Sequence, residues 1–212
     1  MNHPYMGVIV PASALIPISV VIVKNRSVSR EIKTLFFYLL ISLAISLVST
    51  TLAVNHISNL FLIHADTVIE AVLLLYFFYL IFPHPIAKKW ILLLMITFPL
   101  FCMGNLIFLQ GPHRYNTYSR PVEAIIFIGL SMLYWWHAGN NTNDQAWTNI
   151  PLNWVISGLL LYFSSSFLLF IFSNFILSKY DTSVNIVAWN IHATLILTMY
   201  LLFAVGFSKC KT

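Results

Sequence analysis

Residues 60–82 read LFLIHADTVIEAVLLLYFFYLIF, an apolar run that carries three ionisable side chains near its beginning. A helix needs about 20 predominantly apolar residues to cross the hydrocarbon core of a bilayer, and this run is long enough. His64, Asp66 and Glu70 lie inside it, where a charged side chain costs at least about 2.5 to 3.5 kcal/mol. The stretch therefore predicts a transmembrane helix that contributes to a functional site.

The rest of the chain is equally apolar. Of its 212 residues, 59% are hydrophobic and 8% are charged, and the mean hydropathy is +0.86. This composition is too apolar for a soluble domain of this size and is typical of a polytopic membrane protein. We expect an all-α bundle of seven transmembrane helices that forms one integral membrane domain over residues 1–212, surrounded by the lipid bilayer. The predicted spans are 5–23, 34–54, 60–82, 90–109, 121–137, 150–176 and 187–207.

The basic residues are unevenly divided between the two sets of connecting segments. The net charge of +5 alone would be compatible with nucleic-acid binding. With the N-terminus outside and the C-terminus inside, however, eight of the eleven basic residues fall in inside segments, as the positive-inside rule requires. The inside set is Lys24, Arg26, Arg30, Lys33, Lys88, Lys89, Lys209 and Lys211, and the outside set is Arg114, Arg120 and Lys179. We therefore expect a location in a membrane and no nucleic-acid partner.

The polar residues of the third span share one side of the predicted helix. At about 100° per residue, His64, Asp66, Thr67 and Glu70 fall within about 160° of arc. A half-polar helix in lipid turns its polar side toward protein or water, either to form interhelical hydrogen bonds or to line a binding site. One histidine with two carboxylates exceeds what packing requires, so we favour a binding site.

Glu123 lies at the beginning of the predicted fifth span, shortly after Pro121. A glutamate in the first turn of a helix is favourable simply because it opposes the helix dipole. The functional alternative is that Glu123 joins Glu70 and Asp66 around a cation or an amine. The sequence leaves both interpretations open.

The seventh span carries a second polar stripe, formed by Asn190, Thr194 and Thr198 at a spacing of four residues. His192 lies about 200° from Asn190 on the helix, so the two side chains face different neighbours. We expect the Asn190 stripe to face inward and leave the direction of His192 open. The candidate residues for ligand or ion binding are His64, Asp66, Glu70, Glu123, Asn190, Thr194 and His192.

Three kinds of chemistry can be compared with these residues, and one of them, retinal binding, is excluded. Imidazole and carboxylate ligands suit zinc, manganese or iron, but the chain has no HxxxH, HExxH or CxxC spacing, and Ile196 stands where a second ligand after His192 would lie. A retinal Schiff base needs a lysine in the last span, which has none. A carrier driven by protons or ions also fits buried carboxylates. We assign no cofactor and no catalytic residue, and we leave the metal open.

Three segments carry a resemblance to known proteins. They are HADTVIE with the following LLLYFFY within residues 64–79, GLLLYFSSSFLLFIFSN at 158–174 and WNIHATLILTMYLLFAVGF at 189–207. In these segments the chain resembles a family of small, uncharacterised seven-helix bacterial membrane proteins, and similar helices form the membrane halves of bacterial sensor kinases. The resemblance implies a location in the cytoplasmic (inner) membrane of a bacterium and a sensory or partner-coupled role, and it carries over no catalytic residues.

These observations favour a membrane-embedded sensory or partner-coupled module with a polar ligand- or ion-binding pocket in the outer leaflet. A cytoplasmic or membrane signalling partner would read the inside segments 24–33, 83–89 and 139–147, and a homo-oligomer is compatible with the pattern. A proton- or ion-coupled carrier of small solutes is the first alternative. A metal-dependent intramembrane hydrolase is the second, and an enzyme is the less expected outcome.

Overall fold

The computed structural model describes residues 4–24, 28–140 and 146–210. These residues form an all-helical structure without strands, and seven of their helices are long and apolar enough to cross a membrane. The prediction of seven apolar helices is confirmed. The helices are α1 Tyr5–Lys24, α2 Arg30–Val54, α3 Leu60–Ile81, α4 Pro85–Gln110, α5 Ser119–Asn140, α6 Pro151–Lys179 and α7 Thr182–Ser208.

Several helices begin earlier than the predicted spans, because a helix can start in polar residues before its apolar run. α2 begins at Arg30 after Ser29, and α7 begins at Thr182 after Asp181. Ser29 and Asp181 are extended and of the residue types preferred immediately before a helix. α5 begins at Ser119, which places Arg120 inside the helix and not in the outside loop that the sequence analysis assigned to it.

Six of the helices close into a ring. α1 packs against α2 and α7, α2 packs against α3, α3 against α5, α5 against α6, and α6 against α7. α4 packs against α3 from outside this ring. The ring order α1, α2, α3, α5, α6, α7 places α3 and α7 on opposite sides of the interior.

Successive helices run in opposite directions, so the connecting segments gather at two ends. The site end holds the start of α1 and residues 55–59, 111–118 and 180–181. The basic end holds residues 82–84, 146–150 and 209–210, and there the Lys24 ammonium donates to the carbonyl oxygen of Cys210 at 2.6 Å. Six described basic residues lie at or beside the basic end: Lys24, Arg30, Lys33, Lys88, Lys89 and Lys209. The predicted inside residues Arg26 and Lys211 lie outside the described residues.

Phenylalanine side chains fill the ring toward the basic end. Ring centroids lie 6.0 Å apart for Phe78 and Phe127 and 4.9 Å apart for Phe127 and Phe163. Close packing of this kind holds membrane helices together, because lipid offers no hydrophobic driving force between them. We call this set the phenylalanine core; its fully buried members are Phe77, Phe78, Phe82, Phe127, Phe163, Phe203 and Phe207.

Candidate functional site

Arg120, in the first turn of α5, binds three carboxylates. Its Nη2 lies 2.6 Å from Asp66 Oδ2, and its Nη1 donates to Glu70 Oε2 and, at 3.0 Å, to Glu123 Oε2. The Arg120 side chain is only 7% exposed. A planar guanidinium with five donors suits this role, because it can contact several carboxylates at once. The structure therefore brings together the three acidic residues that the sequence analysis singled out. We call these four residues the ion cluster.

The spacing of these residues explains why they meet. Asp66 and Glu70 are four apart on α3, and Arg120 and Glu123 are three apart on α5, so each pair lies on one helix face. Since α3 and α5 are neighbours in the ring, the two faces can oppose each other. Arg120 was missed because it borders a polar loop. The available signal was charge balance, since three acids at membrane depth require a nearby cation.

The ion cluster is not electrically balanced. Three carboxylates surround one guanidinium, which leaves two formal negative charges when all of them are ionised. The second oxygen of Glu70 accepts a hydrogen bond of 2.8 Å from the Tyr38 hydroxyl. Glu123 Oε1 and Arg120 Nε are buried and have no hydrogen-bond partner among the described residues. A buried polar atom without a partner costs about 1 to 3 kcal/mol, so the cluster retains unused binding capacity.

A cavity of about 250 Å³ lies inside the ring beside the ion cluster. All six helices of the ring contribute to its lining. One lining residue from each helix, in the order α1, α2, α3, α5, α6 and α7, is Met6, Ser42, Asp66, Arg120, Tyr162 and His192. α3 contributes Asp66 and Glu70 on one side, and α7 contributes His192 from across the ring. The imidazole of His192 stands 5.6 Å from the ring of Tyr162, centroid to centroid, and its Nδ1 lies 3.0 Å from Ser166 Oγ.

The orientation of α7 corrects the sequence analysis. His192 lines the cavity, whereas the lining includes neither Asn190 nor Thr194. Thr194 is exposed, donates to the Asn190 carbonyl oxygen at 2.8 Å and shares a 2.8 Å hydrogen bond with the Tyr5 hydroxyl. The hydroxyls of Thr194 and Thr198 both donate to carbonyl oxygens of their own helix, so these two side chains have no need to face inward. The buried face of α7 instead includes Ala193 and the residues that continue toward the phenylalanine core.

His64 is buried but takes no part in the cavity lining. Its Nε2 lies 3.0 Å from the carbonyl oxygen of Arg114, in the loop of residues 111–118. A histidine that contacts a backbone carbonyl in this way positions the loop. The structure therefore separates His64 from the three acids with which the sequence analysis grouped it.

Asparagine side chains attach the same loop above the ion cluster. Asn116 Nδ2 donates to Thr67 Oγ1 at 3.2 Å, and Asn105 Nδ2 lies 3.1 Å from Asn116 Oδ1. Asn174 accepts from the backbone N–H of Tyr115 at 3.1 Å and donates to its carbonyl oxygen at 2.9 Å. Burial raises the pKa of the Tyr115 phenol to about 12, which keeps it neutral. These contacts hold the segment that leads into Arg120.

Within residues 4–24, 28–140 and 146–210, no group of three or more histidine, cysteine, aspartate or glutamate side chains is arranged to hold a metal ion. The three clustered carboxylates are turned toward Arg120 instead. What the arrangement offers chemically is a partly open cavity beside an excess of carboxylates, which attracts positive charge.

No family model, curated protein or solved structure matches this chain. The resemblance to the membrane halves of sensor kinases therefore stays a prediction, and the function must be inferred from the ion cluster and the cavity beside it.

Proposed function

We propose that this protein is a membrane-embedded sensory module, and that it binds a small cation in the cavity at the site end. The observation that carries the proposal is the excess of carboxylates over guanidinium in the wall of a partly open cavity, which Asp66, Glu70 and Arg120 line. We further propose that the protein lies in the cytoplasmic membrane of a bacterium and acts on a signalling partner.

Electrostatics favour a cation over an anion in this cavity. Two unit charges 4 Å apart interact by about 4 kcal/mol at an effective dielectric constant of 20. Both Nη atoms of Arg120 already donate to carboxylates, so this arginine offers no free pair of donors to an anionic ligand. A positively charged ligand would offset the unbalanced charge near Asp66 and Glu70.

The position of the phenylalanine core favours sensing over transport. Phe77 follows Glu70 by seven residues, which is about 10 Å along the helix, and Phe127 follows Glu123 by about 6 Å. Large buried rings thus fill the bundle between the cavity and the basic end. Transport would require this core to separate in every cycle, whereas sensing requires only a change in helix packing around the cavity.

Charge supports an orientation with the site end outside. Six described basic residues lie at or beside the basic end, while Arg114 and Lys179 are the exposed ones at the site end. The burial of Arg120 in the ion cluster strengthens this asymmetry, because it removes one residue from the outside count. By the positive-inside rule, the cavity then receives its ligand from outside.

In this proposal the ligand acts by choosing between two packings of α3, α5 and α7. A ligand shifts such an equilibrium only by the difference between its affinities for the two states. The partner would read the change at the basic end, where residues 82–84 and 146–150 connect the helices. The predicted partner segments 24–33 and 139–147 lie partly outside the described residues.

The proposal is tested by ligand-dependent stability of the purified protein in nanodiscs. A ligand at one hundred times its Kd stabilises the folded state by about 2.7 kcal/mol, which a thermal-unfolding assay detects. Chloride salts of inorganic and organic monovalent cations would be compared at constant ionic strength. We expect at least one cation to raise the Tm, and Glu70→Gln to weaken its binding at least tenfold.

Glu31→Gln is the matched control, because Glu31 lies in the first turn of α2 at the basic end. It should bind like the unchanged protein. The proposal is wrong if no cation in the panel raises the Tm, or if Glu70→Gln binds as well as Glu31→Gln. Flux of the bound cation into liposomes that disappears in Glu70→Gln would replace sensing by the carrier alternative.

A further inference from the structure

The cavity wall opposite the acids is aromatic. Tyr162, Trp189 and Tyr200 line it together with the imidazole of His192. The ring of Trp189 lies 5.8 Å from that of His192, which in turn lies 5.6 Å from the ring of Tyr162. The negative face of an aromatic ring attracts a cation within about 6 Å, and it favours ammonium groups that are poorly hydrated.

The chemistry of this lining fits an organic ammonium better than a metal ion. Hard cations such as calcium need about six to eight oxygen ligands, and aromatic faces supply none. The cavity lining includes two carboxylates, those of Asp66 and Glu70, which supply fewer oxygens than such an ion needs. Apolar side chains, among them Ile196 and Met199, complete the lining.

A second cavity of about 180 Å³ adjoins the first between α1, α2 and α3. The two cavities share four lining residues: Met6, Pro11, Ser46 and Asp66. The rest of its wall combines the apolar side chains of Ile45, Leu62 and Ile63 with the hydroxyl groups of Ser49 and Thr50. Asp66 is thus the acid that faces both spaces, and its side chain is 26% exposed against 7% for Glu70.

Asp66 keeps an oxygen that can accept from an ammonium group. Arg120 contacts this carboxylate through Oδ2, at 2.6 Å, and among the described residues no hydrogen bond to Oδ1 is formed. An ammonium group has only donors, so a carboxylate oxygen of this kind is the partner it requires.

We infer that the ligand is a small organic ammonium with a short apolar substituent. Its ammonium group binds between Asp66 and the aromatic wall, and its substituent extends into the second cavity. The inference rests on the proposed function and names the class of its ligand. Because the main cavity is smaller than the about 300 to 1,000 Å³ typical of drug-sized ligands, the ammonium compound is small.

The test compares four probes in nanodiscs: n-butylammonium chloride, methylammonium chloride, potassium chloride and uncharged n-butanol. We expect n-butylammonium to bind at least tenfold more tightly than potassium, while n-butanol leaves the Tm unchanged at equal concentration. Trp189→Leu should weaken n-butylammonium about three- to tenfold, and Trp189→Phe should retain most of the affinity because it keeps an aromatic face. Trp136→Leu is the control, because Trp136 is 70% exposed.

The second cavity is tested with Ile45→Phe, which fills part of it. This change should weaken n-butylammonium binding and leave methylammonium binding unaltered. Equal binding of n-butylammonium and methylammonium by the unchanged protein would refute the role of the second cavity.

The outcomes separate this inference from the proposed function. If potassium binds as tightly as n-butylammonium and both need Glu70, the cation site stands and the ammonium inference fails. If Trp189→Leu leaves n-butylammonium binding intact, the aromatic wall is irrelevant and the inference also fails. If none of the four probes raises the Tm, the ammonium inference is refuted. The proposed function is then decided by the larger set of monovalent cations described above.

Discussion

Replacement of Arg120 by glutamine should destabilise the protein far more than any other single charge removal at the site end. The change leaves Asp66, Glu70 and Glu123 facing one another without their shared cation. Removing one partner of a buried ion pair typically costs about 3 to 5 kcal/mol, because the remaining charge stays buried and uncompensated. At about 2 to 4 °C per kcal/mol for a chain of this length, the Tm should fall by roughly 6 to 20 °C.

The assay is thermal unfolding in nanodiscs at neutral pH, with Arg114→Gln as the matched control. Arg114 lies at the same end of the bundle but is exposed, so its loss should change the free energy of unfolding by less than about 0.5 kcal/mol. If unpaired charge causes the loss of stability, removing one of the acids should restore part of it. The double variant Arg120→Gln with Glu70→Gln should be more stable than Arg120→Gln alone, because it removes one of the charges left unpaired.

Two results would refute this account of the ion cluster. Equal Tm values for Arg120→Gln and Arg114→Gln would show that the cluster does not hold α3 and α5 together. A fall in Tm that Glu70→Gln does not reverse in part would show that Arg120 stabilises the bundle by packing, for example over the ring of Phe170 at 5.7 Å, and not by charge.

Two further predictions concern packing and topology. Gly206→Ala should lower the Tm, because a Cβ there would lie 2.8 Å from the carbonyl oxygen of Pro151, whereas Gly129→Ala should have little effect because nothing lies within 4 Å of its Cβ position. Equal Tm values for the two variants would contradict the close contact of α6 and α7. In a background without the native cysteines, His113→Cys should react with an impermeant thiol reagent applied to whole cells and Lys89→Cys should not; the reverse pattern would overturn the proposed orientation.

The sequence was sufficient to predict the seven apolar helices, because the mean hydropathy of a bilayer-length window depends little on tertiary contacts. It also located the three acidic members of the ion cluster, since Asp66, Glu70 and Glu123 are conspicuous in apolar runs. It did not predict the side of α7 that faces inward. A helical projection shows which residues share a face, but the rotation of the helix depends on its neighbours, and the hydroxyl of Thr194 is satisfied by its own helix.

Charge balance links the missed residue to the proposed ligand. Three acids in the interior of a membrane protein need a positive partner. Arg120, the second residue of α5, is the cation within reach of all three. One guanidinium cannot neutralise three carboxylates, so the bundle either keeps some of them protonated or admits another cation. Protonation alone would require no cavity. The cavity beside Asp66, which has aromatic rings on its far side, therefore favours the binding of another cation.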